Sequence, residues 1–332
     1  MKRKVGIIGL GYWGQNLLRN FMAATDVIAC CDTDPAVLAK LKEKQPYFKL
    51  FGDVGEFLKD SKAEAVVIAT PPDMHKELAL SAIEAGAHVL VEKPLGISVK
   101  ECDQIIEAAE KNNRIVMVDH TFVYHPAVQL LKDRIKSNEF GDLLYYDSVR
   151  VNFGKFQKTN VLWDLAPHDL SILQYFLDNK MPRAVSAVAA THLGVEGLCY
   201  ITLTYDNGFV AHLHVNWMAP VKVRTIMVGG SKKMALYDDN QPAEKIKIYD
   251  KEIKRFEEKS DDVRIRYRVG DMVAPVVPDK EALANVVSEF SNCIENNRQP
   301  VSNASFGRNI VRILEAATES VKKQGLPIPL NI

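Results

Sequence analysis

Apolar residues in the first third of the chain come in short unbroken runs, at 5–8, 27–31, 65–69, 88–91 and 115–118. A strand with one face in water alternates polar and apolar side chains. Unbroken Val/Ile runs instead imply burial on both faces, as in a parallel sheet covered by helices. Between the runs lie stretches with helical spacing, near 15–23, 35–44, 75–85 and 99–112. This alternation predicts a doubly wound α/β domain that ends near Thr121.

After a further helix at about 127–137 the rhythm changes. A strand is expected over 141–151 and a helix over about 163–177, followed by strands at 184–190, 199–205, 209–217, 223–229 and 234–237. Asp206-Asn207-Gly208 is a hairpin-turn signal between two of them. The pattern predicts an open, mainly antiparallel sheet with helices on one face. Closing helices at about 279–296 and 306–323 complete it. The expected fold is therefore α/β, a Rossmann domain over 1–121 and an α+β domain over 122–332. The charged stretch 252–262 reads as a solvated loop or strand edge. A length of 332 residues agrees with two cores rather than one.

Charge and cysteine content narrow the partners. Forty-two basic side chains balance 42 acidic ones, and no basic stripe or reading helix is evident. That argues against nucleic-acid and membrane-surface roles. Five scattered cysteines lack metal-ligand spacing, so no metal site is expected and the thiols read as reduced. With no signal-peptide pattern and no run of membrane-spanning length, the expected location is the cytoplasm.

Gly9-Leu10-Gly11-Tyr12-Trp13-Gly14 lies between the first apolar run and the first helix. In such a G-x-G-x-x-G loop the first glycine permits a tight turn and the second admits a pyrophosphate. The third lets helix and strand pack closely, and the helix start offers unpaired N–H groups. Asp32 closes the second run, where an acid accepts the adenosine ribose hydroxyls and repels a 2′-phosphate. No arginine follows it in Asp32-Thr33-Asp34-Pro35, which favours NAD over NADP. The competing reading of Asp32 is a turn residue ahead of Pro35.

Two further clusters carry candidate chemistry. Glu92-Lys93-Pro94 follows the 88–91 run, and a lysine at the carboxyl end of a parallel strand faces the ligand crevice. Lys93 reads equally as a proton-handling group or a surface lysine. Asp164 and His168 are four apart and share a helix face. Pro167 places the start of that helix no earlier than about Trp163, with His168 near its amino terminus. Asp164 then reads either as a site residue or as the N-cap, and His168 either as a base or as a packed histidine.

Together these marks, with Thr70-Pro71-Pro72 and His75, resemble the Gfo/Idh/MocA family of sugar and cyclitol oxidoreductases over essentially the whole chain. The resemblance implies a cofactor site made of Gly9, Gly11, Tyr12, Trp13, Gly14, Asp32, Thr70, Pro71, His75, Glu92 and Lys93. Thr70, Pro71 and Glu92 would line its nicotinamide side. It implies that Lys93 and His168 flank the hydroxyl being oxidised, supported by Asp164, and that the Lys93–Pro94 bond is cis. Many members place a glycine pair before the aspartate, where this chain has Lys158-Thr159-Asn160-Val161-Leu162-Trp163. Trp163-Asp164-Leu165-Ala166-Pro167-His168, the 120–124 segment and Trp217-x-x-Pro220-x-Lys222-x-Arg224 look like members acting on nucleotide-activated sugars. Lys222 and Arg224 read as diphosphate partners or as solvated sheet residues, and Tyr124 as a substrate contact or a packed aromatic. The implied reaction is oxidation of a sugar hydroxyl, at C3. A free-sugar or inositol-type dehydrogenase and a non-catalytic NAD- or sugar-sensing protein are the alternatives. A sheet open on one face, together with the family's habit, implies a homodimer or homotetramer.

Overall fold

The computed structural model describes residues 3–154, 159–257 and 263–330. The chain folds as two compact units, Met1–His125 with Lys280–Arg312 and Pro126–Asp279 with Ile313–Ile332.

In the first unit β1 (Lys4–Ile8), α1 (Tyr12–Ala24), β2 (Asp26–Cys31), α2 (Pro35–Lys44), β3 (Lys49–Phe51) and α3 (Val54–Asp60) form one half. The other half is β4 (Ala65–Ile68), α4 (His75–Glu84), β5 (His88–Glu92), α5 (Val99–Lys111) and β6 (Val116–Asp119). All strand pairs are parallel, in the order β3-β2-β1-β4-β5-β6. Strand order reverses beside β1, which pairs with β2 on one side and β4 on the other. A crevice for a ligand opens at such a reversal, beyond the carboxyl ends of the strands. Every residue of β4 and β6 is buried, the property announced by their unbroken runs.

Neither β3 nor α3 had a separate reading in the sequence. β3 is a three-residue edge strand, too short to show a period. α3 is capped by Asp53, whose side chain accepts the Glu56 N–H at 2.9 Å. The carboxyl-terminal helices also divide differently from expectation. α8 (Ala282–Glu295) packs within the first unit instead of completing the second. Phe290 on α8 meets Phe21 edge-on at 6.4 Å, and Glu281 forms a bidentate pair with Arg19 on α1. α9 (Ala304–Lys322) begins in the first unit and ends in the second.

The second unit contains α6 (Pro126–Lys136), β7 (Leu143–Phe153), α7 (Val161–Phe176), β8 (Ala184–His192), β9 (Val195–Thr204) and β10 (Val210–Asn216). It continues with β11 (Met218–Gly230), β12 (Met234–Asp238), β13 (Ile246–Glu257), β14 (Val263–Val273) and β15 (Ile328–Pro329). The order is β14-β13-β12-β11-β7-β10-β9-β8-β15, antiparallel throughout except for β7 beside β10. One face is apolar and buried, with Ile201 and Leu203 of β9 beside Leu213 and Val215 of β10. The opposite face carries Val188, Tyr200, Val210 and Met227, all exposed. Residues 252–257 of the charged stretch belong to β13, second from the end of the sheet. Residues 258–262 of that stretch, and Lys158, lie outside the described residues.

α7 begins earlier than Pro167 suggested. Asn160 is its N-cap, accepting the Trp163 N–H at 3.1 Å, and Pro167 sits in its interior. A proline there removes one backbone hydrogen bond and crowds the preceding turn, a cost of about 3 kcal/mol that the buried packing of Ala166, Leu170 and Leu173 offsets. Asp164 is therefore not the cap, and His168 stands two turns inside the helix, beyond the reach of its amino-terminal dipole. Among the described residues no helix is long and apolar enough to cross a membrane.

Candidate active site

The glycine loop is shaped from both sides. Gly9 has φ +89°, and its N–H donates to the Cys31 carbonyl at 2.9 Å. A Cβ there would sit 2.5 Å from the Ala69 carbonyl oxygen, and one on Gly14 would collide with the Gly9 carbonyl. Around Gly11, the N-cap of α1, a Cβ would meet nothing within 4 Å. The outer glycines thus serve packing, while the middle one opens on free space beside unpaired helix-start N–H groups. That is the cradle a pyrophosphate needs, so these residues fit a dinucleotide. Asp32 stands at the end of β2, taking the Leu10 N–H on Oδ2 at 2.7 Å and the Asp34 N–H on Oδ1 at 2.9 Å. Its carboxylate fixes the loop from the side where a ribose would lie. Tyr12 is exposed, and Trp13 donates from Nε1 to Asp119 Oδ2 at 3.3 Å.

Beyond β4 and β5 two loops are stapled together by one histidine. His75 is fully buried, with Nδ1 2.7 Å from the Pro94 carbonyl oxygen and Nε2 2.9 Å from that of Thr70. The ring is engaged by backbone carbonyls on both sides and ties the two loops together. Burial lowers its pKa, against the pull of the two carbonyls. Thr70 and Pro71 lie on the first loop, and the Lys93–Pro94 bond on the second is cis.

Glu92 and Asp119 end adjacent parallel strands and are register partners, both buried. Asp119 takes hydrogen bonds from Trp13 Nε1 and from Thr121 Oγ1, the latter at 2.8 Å. Glu92 Oε2 accepts the Lys93 N–H at 3.0 Å. Burial pushes the Glu92 carboxyl well above the usual range, reinforced by the Asp119 charge and opposed by Lys93. Burial also raises Asp119, while Thr121, Glu92 and Lys93 favour its ionised form. His120 is buried beside them, and desolvation together with the Lys93 charge holds it down to about 3. It is uncharged at neutral pH.

Asp164 and His168 belong to the second unit and Lys93 to the first. Trp217 donates from Nε1 to Asp164 Oδ2 at 3.2 Å. Next to His168, Asp169 turns into the core and takes Nε and Nη2 of Arg150 on one oxygen, at 2.9 and 2.6 Å. Arg150 is 3% and Asp169 1% exposed. Tyr146 donates to the Asp169 carbonyl at 2.9 Å, so β7 holds α7 at this point through side chain and backbone alike.

The remaining candidates divide. Lys222 is exposed, while Arg224 pairs with Asp239 at 3.1 Å. Burial opposes the ionisation of Asp239, but Arg224, Arg150 and Tyr237 together hold its carboxyl below the usual range. Tyr124 is packed in the first unit. It is 3% exposed, and its hydroxyl is held by Ser302 Oγ at 2.9 Å and the Ser302 N–H at 3.1 Å. Asp119, Thr121, Arg150 and Asp169 were not singled out in the sequence. Asp119 had a readable signal, since it closes an apolar run as Asp32 does.

Family models match both units. Residues 3–120 match the oxidoreductase family with an NAD-binding Rossmann fold, and residues 128–236 match the GFO/IDH/MocA C-terminal domain. The chain belongs to the Gfo/Idh/MocA family. Within the Gfo/Idh/MocA family, inositol 2-dehydrogenase of Salmonella typhimurium is 27% identical over 186 residues, 54% of this chain and 55% of that protein. UDP-N-acetylglucosamine 3-dehydrogenase of Acidithiobacillus ferrooxidans is 27% identical over 240 residues, 71% of this chain and 74% of that protein. The solved structure of the latter enzyme superposes with TM-score 0.82 at 23% identity, covering 97% of this chain and 99% of that one. The match spans 55–60% of the length of the first curated Gfo/Idh/MocA relatives.

Proposed function

We propose that this Gfo/Idh/MocA member is an NAD-dependent dehydrogenase that oxidises a secondary hydroxyl of a sugar, at C3 of a nucleotide-activated sugar. The observation that carries the reading is the glycine cradle open at Gly11 and bounded by Asp32, in a parallel sheet whose strand β5 ends immediately before Lys93. When bound, the nicotinamide supplies the hydride acceptor. His168 takes the hydroxyl proton and Lys93 polarises the oxygen, while Asp164, held by Trp217, orients one or both through hydrogen bonds. Asp32 selects NAD over NADP by repelling a 2′-phosphate.

One observation favours a second reading. Arg224 is already engaged by Asp239, so a diphosphate has to compete for it, whereas a free sugar or an inositol does not. An absorbance assay of NAD and NADP reduction across nucleotide sugars, free sugars and inositols separates the two. The first reading predicts turnover with a nucleotide sugar and NAD, and a KM raised about tenfold or more in Arg224→Ala, the loss of one charge-assisted contact. Turnover confined to free sugars or inositols, indifferent to Arg224→Ala, sinks it.

The exposed sheet face is assigned to a second copy of the chain, giving a dimer or tetramer. Val188 and its register partner Tyr200 there are 54% and 40% exposed, Met227 on the same face is 45% exposed, and apolar groups on an open sheet are stable when covered. Met227→Lys is expected to shift the sedimenting species toward monomer. A wild-type monomer at micromolar concentration contradicts the assignment.

A further inference from the structure

The buried pair at the ends of β5 and β6 has a job beyond lining a pocket. Glu92 and Asp119 are opposed across adjacent strands, where two carboxylates would repel at close range in a low dielectric. Their donors are unevenly shared. Asp119 has Trp13 and Thr121, one on each oxygen, so its ionised form is satisfied. Glu92 has the Lys93 N–H on Oε2 only, while its buried Oε1 receives no hydrogen bond from a donor group. An oxygen in that state is best occupied by a proton of its own, on a carboxyl whose register partner on the neighbouring strand is Asp119. Lys93 is the charged group acting on both carboxyls. The histidines packed nearby, His120 after β6 and His75 at the start of α4, both have pKa values lowered by burial, His120 to about 3.

The pair also stands where cofactor charge is felt. Asp32 on β2 marks the adenosine half, so the second nucleotide falls across the strand-order reversal, over the ends of β4, β5 and β6. Trp13, from the glycine loop itself, reaches Asp119. We propose that Glu92 and Asp119 share one proton, and that the cationic ring of oxidised cofactor expels it to solvent while the neutral reduced ring leaves it in place. The step is a simple ionisation, the Glu92 carboxyl becoming carboxylate as the proton passes to buffer. The pair then carries two negative charges facing Lys93 and the cationic ring. This deepens the NAD-dependent reading above and rests on it.

The sign follows from linkage. Where the free protein holds the proton, its release on binding makes NAD+ affinity rise with pH, by about tenfold per pH unit for a full proton. Once the free protein has lost the proton in alkali, the rise stops. NADH affinity is flat across the same window.

Titration calorimetry of NAD+ and of NADH with the full chain, between pH 6 and 9 in buffers of different ionisation enthalpy, counts the protons directly. Wild type is expected to release up to one proton with NAD+ and essentially none with NADH. Glu92→Gln, which keeps the shape and fixes the neutral form, is expected to release none with either. Asp119→Asn removes the repelling neighbour and is expected to move the release to lower pH. Infrared difference spectra add a readout that needs no folding assumption about variants. Addition of NAD+ to wild type is expected to bleach a protonated-carboxyl band that NADH leaves intact. Equal proton counts for the two cofactor forms, release that persists in Glu92→Gln, or NAD+ that fails to bind each overturns the proposal. If proton release is seen but no sugar is oxidised, the pair stands and the substrate assignment falls. If a sugar is oxidised without proton release, the reverse holds.

Discussion

Replacing Lys93 with Met, or His168 with Asn, is expected to lower turnover by roughly 10²–10⁴-fold, the usual contribution of a positioned acid–base group. NAD binding, measured by fluorescence titration, is expected to change by less than about tenfold, because pyrophosphate and ribose contacts lie elsewhere on the glycine loop and Asp32. The two variants are expected to differ in their pH profiles. On the proposed roles, His168→Asn removes the acceptor of the hydroxyl proton, so the rate that remains is expected to rise with hydroxide concentration. Lys93→Met removes a charge next to Glu92 and Asp119, so the carboxyl pair holds its proton more tightly. Near wild-type turnover in both variants would show that neither group handles the proton.

Arg150→Met is expected to cost roughly 3–5 kcal/mol of stability, the price of leaving a buried carboxylate without its partner. Asp169 is 1% exposed and takes both guanidinium contacts on one oxygen, so water has no ready way to replace them. Removing both charges together, in Arg150→Met with Asp169→Leu, is expected to recover most of the loss, since two apolar groups carry no desolvation penalty. Urea unfolding followed by circular dichroism measures both. A single variant within about 1 kcal/mol of wild type would contradict the account. Because Asp169 follows His168 on α7, the double variant also tests placement. Restored stability with depressed turnover assigns the ion pair to holding the helix, and restored turnover assigns it to folding alone.

The parallel sheet was legible because burial on both faces leaves a plain mark, the unbroken runs of β4 and β6. The glycine loop and Asp32 were legible because backbone geometry restricts which residues fit there. Three kinds of feature were not. β3 has three residues and no period to read. The start of α7 was misplaced because Pro167 argues locally for a helix boundary, while the cap at Asn160 and the buried face of the helix override it. The 252–262 stretch, from the end of β13 to the start of β14, carries so many charges that it reads only as a solvated loop or strand edge until the ladder between the two strands is seen. At the site, Tyr124 reads as a substrate contact or a packed aromatic because aromatic residues serve packing and binding alike, and its burial and Ser302 hydrogen bonds leave no mark in the sequence. Asp119 was hidden for a different reason. Its partner, Glu92, is 27 residues away and meets it only through strand register.

The return of α8 to the first unit bears on how the molecule is made. A ribosome releases the six parallel strands by residue 119, yet the helix that covers Phe21 is encoded at 282–295, after the whole nine-stranded sheet except β15. The nascent amino-terminal segment therefore waits, with an apolar helix face uncovered, while more than a hundred further residues are synthesised. A gene truncated at codon 121 lacks that cover altogether. Swapping cofactor-binding segments between relatives at that point would sever the unit, whereas a graft that carries 280–312 along with it keeps the unit whole.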